Sequence, residues 1–359
     1  MKMISPGSQM TTTGRDASGL VMVLHGPEIF DSGEAGRLYR QIRPSRLVVA
    51  GVMARAAAEE SGLPCEYPGL PPSQVLRGIA RPSFLASLGK TPASGRIFGG
   101  MVAQRTGPGG IIQVECVCRR VICWGQPVGY LASMLAEAAG FPPVSLPVPP
   151  PQKEQGTRTL RGCVPGEPVY VNGVVIGTAN ADQVVIAEKD GLLVPVQGLE
   201  PKEHGLEKIR RMGPLDISQA WCKSGYLRSR SPAPAAGGRR RGRVAFVDHC
   251  GHALYQALRD GGFCGVVAVG DDTTAVCGHI GAHLGLPVFG IIDRDGDGVV
   301  PPGFAPGSWL AVTDPGCDDL VGRKAAGLIL RGEMDWDDVV SQLSTRLAKW
   351  VRLERPGTK

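Results

Sequence analysis

The stretch from Val266 to Gly298, VVAVGDDTTAVCGHIGAHLGLPVFGIIDRDGDG, admits few folds. Val266–Val269 and Val288–Ile292 are short, largely β-branched apolar runs, the pattern of strands buried on both faces of a parallel sheet. A segment of helical length separates them, so the stretch reads as strand, acidic turn, helix, strand, acidic turn. Asp271-Asp272-Thr273-Thr274 follows the first run, and Asp293, Asp295 and Asp297 follow the second, before Gly298. In open parallel sheets, ligands bind at the carboxyl ends of the strands. Carboxylates crowded on that edge repel one another unless a cation sits among them. Asp293, Asp295 and Asp297 are therefore the candidate metal ligands, for Mg²⁺ or Mn²⁺.

The rest of the chain repeats the α/β plan. We expect two Rossmann-like α/β units with parallel sheets, flanking a small antiparallel β segment. Residues 1–18 read as a disordered leader and 19–140 as the first α/β domain. Its elements begin with strand Leu20–Leu24, helix Asp31–Ile42, strand Arg46–Ala50 and helix Met53–Ser61. A Pro-rich spacer is expected over 141–160 and a β-rich segment over 161–227. In that segment Asn172-Gly173 and Lys189-Asp190-Gly191 signal hairpins, and Glu203–Arg211 a helix. An Arg/Pro/Gly linker over 228–242 leads into the second α/β domain, 243–359.

Composition narrows the classes. The chain has 359 residues, of which 43% are hydrophobic and 20% charged, ordinary for a globular protein. No apolar run is long enough to cross a bilayer, and the first twenty residues lack a signal peptide's apolar core, so we expect a cytoplasmic protein. Ten Cys in such a chain read as thiols rather than a disulfide framework. Cys116, Cys118 and Cys123 lack the second pair that a zinc site needs. Much of the net charge of +6 lies between Arg228 and Arg243, without interleaved aromatics. That segment reads as a solvated linker, with nucleic-acid contact the alternative.

Several constellations carry chemistry. Asp293-Arg-Asp295-Gly-Asp297-Gly298 begins like an EF-hand loop, but its twelfth position is Phe304 and a strand leads in, so that reading fails. An acid after one strand (Asp248), a Gly turn after the next (Gly270) and Asp293-x-Asp295 after the third resemble the topoisomerase–primase (Toprim) pattern. That resemblance implies Mg²⁺ clamping phosphoryl oxygens, although Toprim proteins have Glu where this chain has Asp248. Gly270-Asp271-Asp272-Thr273-Thr274 is similar to the Gly-Gly-Asp-Gly-Ser/Thr turn of phosphofructokinase-related and NAD kinases, which would make Thr273 and Thr274 phosphate donors at a helix N-terminus. The plainer reading is a helix cap. His249 and His252 follow Asp248, and His279 and His283 share a helix face; helix-surface His is a commoner outcome for such pairs than a metal site. Asp248, His249 and Asp271 are the catalytic candidates, His249 as acid/base. In the first domain, the loop after Leu24 offers His25 and Glu28, and Arg55 opens the helix after the second strand; these three form a candidate anion crevice. No G-x-G-x-x-G, Walker A or G-x-S-x-G is present.

Taken in order, HGPEIFDSGEA, EPVYVNGVVIG, KEHGLEKI and the Val266–Gly298 stretch resemble an archaeal family found largely in methanogens and catalogued as a domain of unknown function. The resemblance implies a cytoplasmic archaeal protein and no established activity. Where members of that family read Gly-Asp in the last loop, this chain has Arg294-Asp295. The leading expectation is a divalent-metal-dependent enzyme acting on a phosphate-containing small molecule, with no membrane partner. The alternatives are a non-catalytic small-anion or partner-binding protein built on His25 and Arg55, and a nucleic-acid-binding protein built on the Arg-rich linker.

Overall fold

Apolar residues that alternate between two buried faces produce the first sheet. The computed structural model describes residues 19–356, apart from 81, 151–155, 233–234, 236, 249–250, 295–302 and 330–331. In the first unit, β1 (Val21–His25), β2 (Arg46–Ala50), β3 (Cys65–Glu66), β4 (Ser83–Ser87), β5 (Ile111–Glu115), β6 (Arg120–Trp124) and β7 (Pro143–Leu146) form one sheet in the order β3-β2-β1-β4-β5-β6-β7. The first five are parallel, and β6 runs against β5. Met22 and Leu24 face a core with α1 (Glu28–Asp31), α2 (Glu34–Ile42) and α3 (Val52–Ser61). Val21 and Val23 face the opposite core, with α4 (Pro72–Gly78) and α5 (Pro92–Thr106). Chain direction across the sheet reverses between β1 and β4, the position where doubly wound folds leave a crevice. A further helix, α6 (Tyr130–Ala139), packs on the first core. The Pro-rich stretch differs from the expected spacer: its start is β7, an edge strand, where proline is tolerated.

The middle segment is antiparallel. One sheet joins β13 (Leu199–Pro201), β10 (Val174–Ala179), β9 (Pro168–Val171) and β14 (Cys222–Ser224); the other joins β12 (Leu192–Gln197), β11 (Gln183–Lys189) and β8 (Thr157–Arg161). Both expected hairpins form, and Asn172, Gly173, Asp190 and Gly191 take the positive φ that a two-residue turn of this hand requires. Helix α7 covers Glu203–Arg211.

The last unit has the sheet order β19-β15-β16-β17-β18-β20. β15 (Arg241–Asp248), β16 (Phe263–Val269), β17 (Val288–Ile292) and β18 (Trp309–Val312) are parallel and adjacent in chain order. Their order never reverses, so this sheet has no switch-point crevice like the first. A 3₁₀ turn (Gly251–Ala253), α8 (Leu254–Ala257) and α9 (Asp271–Leu284) lie on one face. α10 (Asp318–Ala326) and α11 (Trp336–Leu347) cover the other; β19 (Met334–Asp335) and β20 (Arg352–Glu354) add antiparallel edges. Met53 and Ala56 of α3 share a core with α9, so α3 is packed between the first and last units. Among the described residues no helix is long and apolar enough to cross a membrane.

Candidate functional site

The reversal between β1 and β4 gathers titratable groups from two units. β1 ends at His25, whose Nδ1 lies 3.0 Å from the Ala50 carbonyl oxygen. A carbonyl only accepts, so Nδ1 carries the proton in the neutral ring and leaves Nε2 as the acceptor. The ring stacks on Phe98 of α5, centroids 4.8 Å apart. Burial, then the Lys223 charge, pushes the His25 pKa down to about 4, against the Ala50 hydrogen bond. Gly26 follows at positive φ, and a Cβ there would sit 2.7 Å from Glu28 Oε2, so the Glu28 carboxylate folds back over it. Burial raises the Glu28 pKa, with Asp31 adding to the rise and Lys223 and Lys90 opposing it.

β4 supplies the other wall. Gly89 turns tightly enough that a Cβ would meet Gly95 backbone at 2.5 Å, and its N–H donates to buried Glu115 at 2.7 Å. Thr91 and Ser94 cap α5 reciprocally, which fixes Lys90 at the rim. Lys90 Nζ donates to Glu167 at 2.5 Å and to the Ser224 carbonyl at 3.2 Å. Both partners come from the β-rich unit, as does Lys223 on β14. Burial pushes Lys223 down to about 8; Lys90 adds to the fall, while Glu28 and Glu167 oppose it. His25, Glu28 and Lys223 are thus all displaced toward their neutral forms by the same crevice, a pattern enriched at functional sites.

One consequence is measurable without a ligand. With a folded pKa near 4 and an ordinary value of 6.5, the unfolded chain binds more protons at His25 between those limits. Stability attributable to this ring is intact above pH 6.5 and falls as pH drops toward 4, by up to about 3 kcal/mol. His25→Asn is expected to flatten that slope in denaturant titrations run at pH 7 and pH 4.5. Identical slopes in the two proteins would refute the assignment.

Arg55 does not extend the crevice as the sequence suggested. Its guanidinium is bound to Glu59 at 2.8 Å and lies over the rings of Tyr67 and Tyr255. Glu59 also accepts from Tyr255 at 3.0 Å and faces His283 at 3.3 Å. Burial opposes the Glu59 charge, but these hydrogen bonds outweigh it and hold its pKa below the ordinary value. His279, on the same face of α9, is fully buried with Nε2 2.7 Å from Arg228 Nη1. These two histidines therefore belong to the packing between α3 and α9.

At the acidic edge of the last sheet, Asp271 and Asp293 are already engaged. Asp271 Oδ1 accepts from the backbone N–H of Asp293 at 3.0 Å and of Arg294 at 3.3 Å. Asp293 Oδ2 accepts from Gly316 N–H at 2.8 Å and lies 3.4 Å from His204 of α7. Lys208, one turn along α7, binds buried Asp318 at 3.1 Å. Among the described residues no three His, Cys, Asp or Glu gather as metal ligands. A cation would compete here with backbone amides and with His204, so the described donors fit Mg²⁺ or Mn²⁺ poorly. Asp295, Asp297 and His249 lie outside the described residues, and Asp248 is exposed at the end of β15. Thr273 and Thr274 are buried in α9, and Thr274 packs on Gly290, where a Cβ would sit 2.1 Å from its methyl. The Thr274 side chain therefore lies against β17. Arg294, at positive φ, pairs with Glu354 of β20.

Lys90, Glu167 and Lys223 were missed in the sequence. Gly89-Lys90-Thr91 after an apolar run carries a local strand-turn-helix signal, whereas nothing near Lys223 marks it. The Arg-rich segment also divides: Arg228 is buried, Arg241 and Arg243 belong to β15, and Arg240 is exposed beside Asp337.

A family model described as an uncharacterized protein conserved in archaea (DUF2117) matches residues 22–333. An uncharacterized protein of Methanocaldococcus jannaschii is 30% identical over 325 residues, covering 84% of this chain and 89% of that protein. No solved structure matches the chain. The Toprim-like pattern finds no support in these comparisons.

Proposed function

The chain belongs to this uncharacterized archaeal family, and from that premise we propose that it binds a small anionic metabolite, a phosphate or carboxylate, in the crevice between β1, β4 and β14. The observation that carries the reading is the convergence of His25, Glu28 and Lys90 with Lys223 and Glu167 at the reversal of strand order. Lys90 and Lys223 supply positive charge, and burial, which raises the Glu28 pKa, lessens that carboxylate's repulsion of an anion. A bound anion stabilises the Lys223 ammonium, so binding takes up a proton on the alkaline side of pH 8.

Calorimetric titration with inorganic phosphate and with malonate tests the reading, in two buffers of different ionisation enthalpy. Saturable binding is expected, weakening at least tenfold in Lys223→Met and as pH rises past about 8. Heats that do not saturate in wild type, or that persist unchanged in Lys223→Met, would overturn it.

A further inference from the structure

The crevice is tied to the packing of the last unit through one side chain. Arg228 is 1% exposed and uses all five of its N–H donors. Nε and Nη2 bind Asp31 at 2.9 and 2.6 Å, Nη1 and Nη2 bind Glu60 at 2.8 and 2.6 Å, and Nη1 reaches His279 Nε2 at 2.7 Å. Because Arg228 can only donate, His279 accepts and is neutral. Asp31 closes α1, the four-residue helix that Glu28 opens. Arg228 ends the short segment that carries Lys223. Between them, Gly225 adopts positive φ and lies so close to Lys90 and Glu167 that a Cβ would come within 2.7 Å of Lys90 Nζ and 3.1 Å of Glu167 Oε1. The segment is therefore pressed onto the Lys90–Glu167 pair at its middle and clamped to α1 and α3 at its end.

We infer that Arg228 is a positioning residue for the crevice: by joining Asp31, Glu60 and His279 it holds Lys223 down opposite Glu28 and makes that placement depend on the docking of α9. The inference rests on the crevice being the ligand site, but its test does not need a ligand. Loosening the clamp lets more water reach Lys223, which is half-buried with Nζ donating to the Tyr226 carbonyl at 3.5 Å, and whose charge is faced by Glu28 from α1, Lys90 from the β4–α5 turn, Glu167 ahead of β9 and His25 from β1. Restored hydration favours the ammonium, so the Lys223 midpoint rises. Lysine at 228 keeps one charge but cannot fork to two carboxylates, so Arg228→Lys should show part of the effect.

Trace acetylation of the full-length protein across pH, read by peptide mass spectrometry, reports the midpoint of Lys223 itself. Wild type is expected to titrate near 8, Arg228→Met in the ordinary lysine range, and Arg228→Lys between the two. A purely stabilising role for Arg228 would lower the melting temperature and leave the folded protein's Lys223 midpoint where it was. That result in either folded variant overturns the inference, as does a wild-type midpoint already in the ordinary range. If Arg228→Met does not fold, Arg228→Lys decides alone. Absent phosphate or malonate binding by wild type would instead remove the crevice reading.

Discussion

Arg228→Met is expected to lower the free energy of unfolding by about 3–5 kcal/mol, the scale for removing one partner of a buried charge cluster. The substitution keeps the apolar stem and deletes five hydrogen bonds at once. It leaves Asp31 and Glu60 facing each other, 12% and 19% exposed, with no cation between them. In the native protein, burial opposes the guanidinium's charge, but the hydrogen bonds from Arg228 to these carboxylates outweigh it and raise its pKa above the ordinary arginine value. Glu60→Gln, which keeps Asp31 paired, should cost less. Urea unfolding at pH 7 measures both effects. A loss below about 1 kcal/mol, the value of an exposed ion pair, would mean that the cluster is not buried in solution.

Gly99→Ala is expected to cost about 2–4 kcal/mol, from overpacking together with a disrupted buried hydrogen-bond network. A Cβ at this position would lie 1.7 Å from Gln113 Oε1. Gln113 is fully buried, accepts from Trp124 Nε1 at 2.9 Å and donates to Ser87 Oγ and the Gly95 carbonyl, both at 2.9 Å. Moving its amide aside leaves the indole N–H or the Ser87 hydroxyl without its bond in the core. Gly95, one turn earlier, lies so close to Glu115, the carboxylate that holds the Gly89 turn beside Lys90, that a Cβ would sit 2.5 Å from its carboxyl carbon. The glycines of α5 thus let the helix approach the sheet closely enough to shape the crevice wall. Gly78→Ala at the end of α4, where a Cβ meets nothing within 4 Å, is the control and should be neutral or slightly stabilising. Thermal and urea unfolding of the two variants side by side provides the check. Equal stability would show that α5 does not sit this close to β5.

The elements were largely legible because their determinants are local. β2, β17 and α7 fall close to where apolar runs, turn residues and helical periodicity put them. Asn172-Gly173 formed the hairpin its dihedral preferences demand. The expected helix Asp31–Ile42 is instead two helices, because Gly33 takes positive φ between them. β7 and β20 were overlooked because a short edge strand is defined by the neighbour it pairs with, which its own residues do not encode.

The site was legible in halves. His25 and Glu28 follow a strand in a chain without a dinucleotide fingerprint, and local reasoning found them. The groups that face them, Lys90, Glu167 and Lys223, come from other loops and another unit, and the acidic run at Asp293 drew attention because its charges are contiguous. Asp271 and Asp293 turned out to bind backbone amides, which no side-chain pattern announces. Arg228 meets Asp31 across 197 residues of chain and Glu60 across 168. The sequence by itself determined the α/β class, the strand cores and the turns, since those depend on burial periodicity and backbone dihedrals within a few residues. Only the tertiary structure decided which charges are buried together, because burial and pairing across such separations arise when separate units dock, and the energy of a charge depends on that surrounding rather than on its neighbours in the chain.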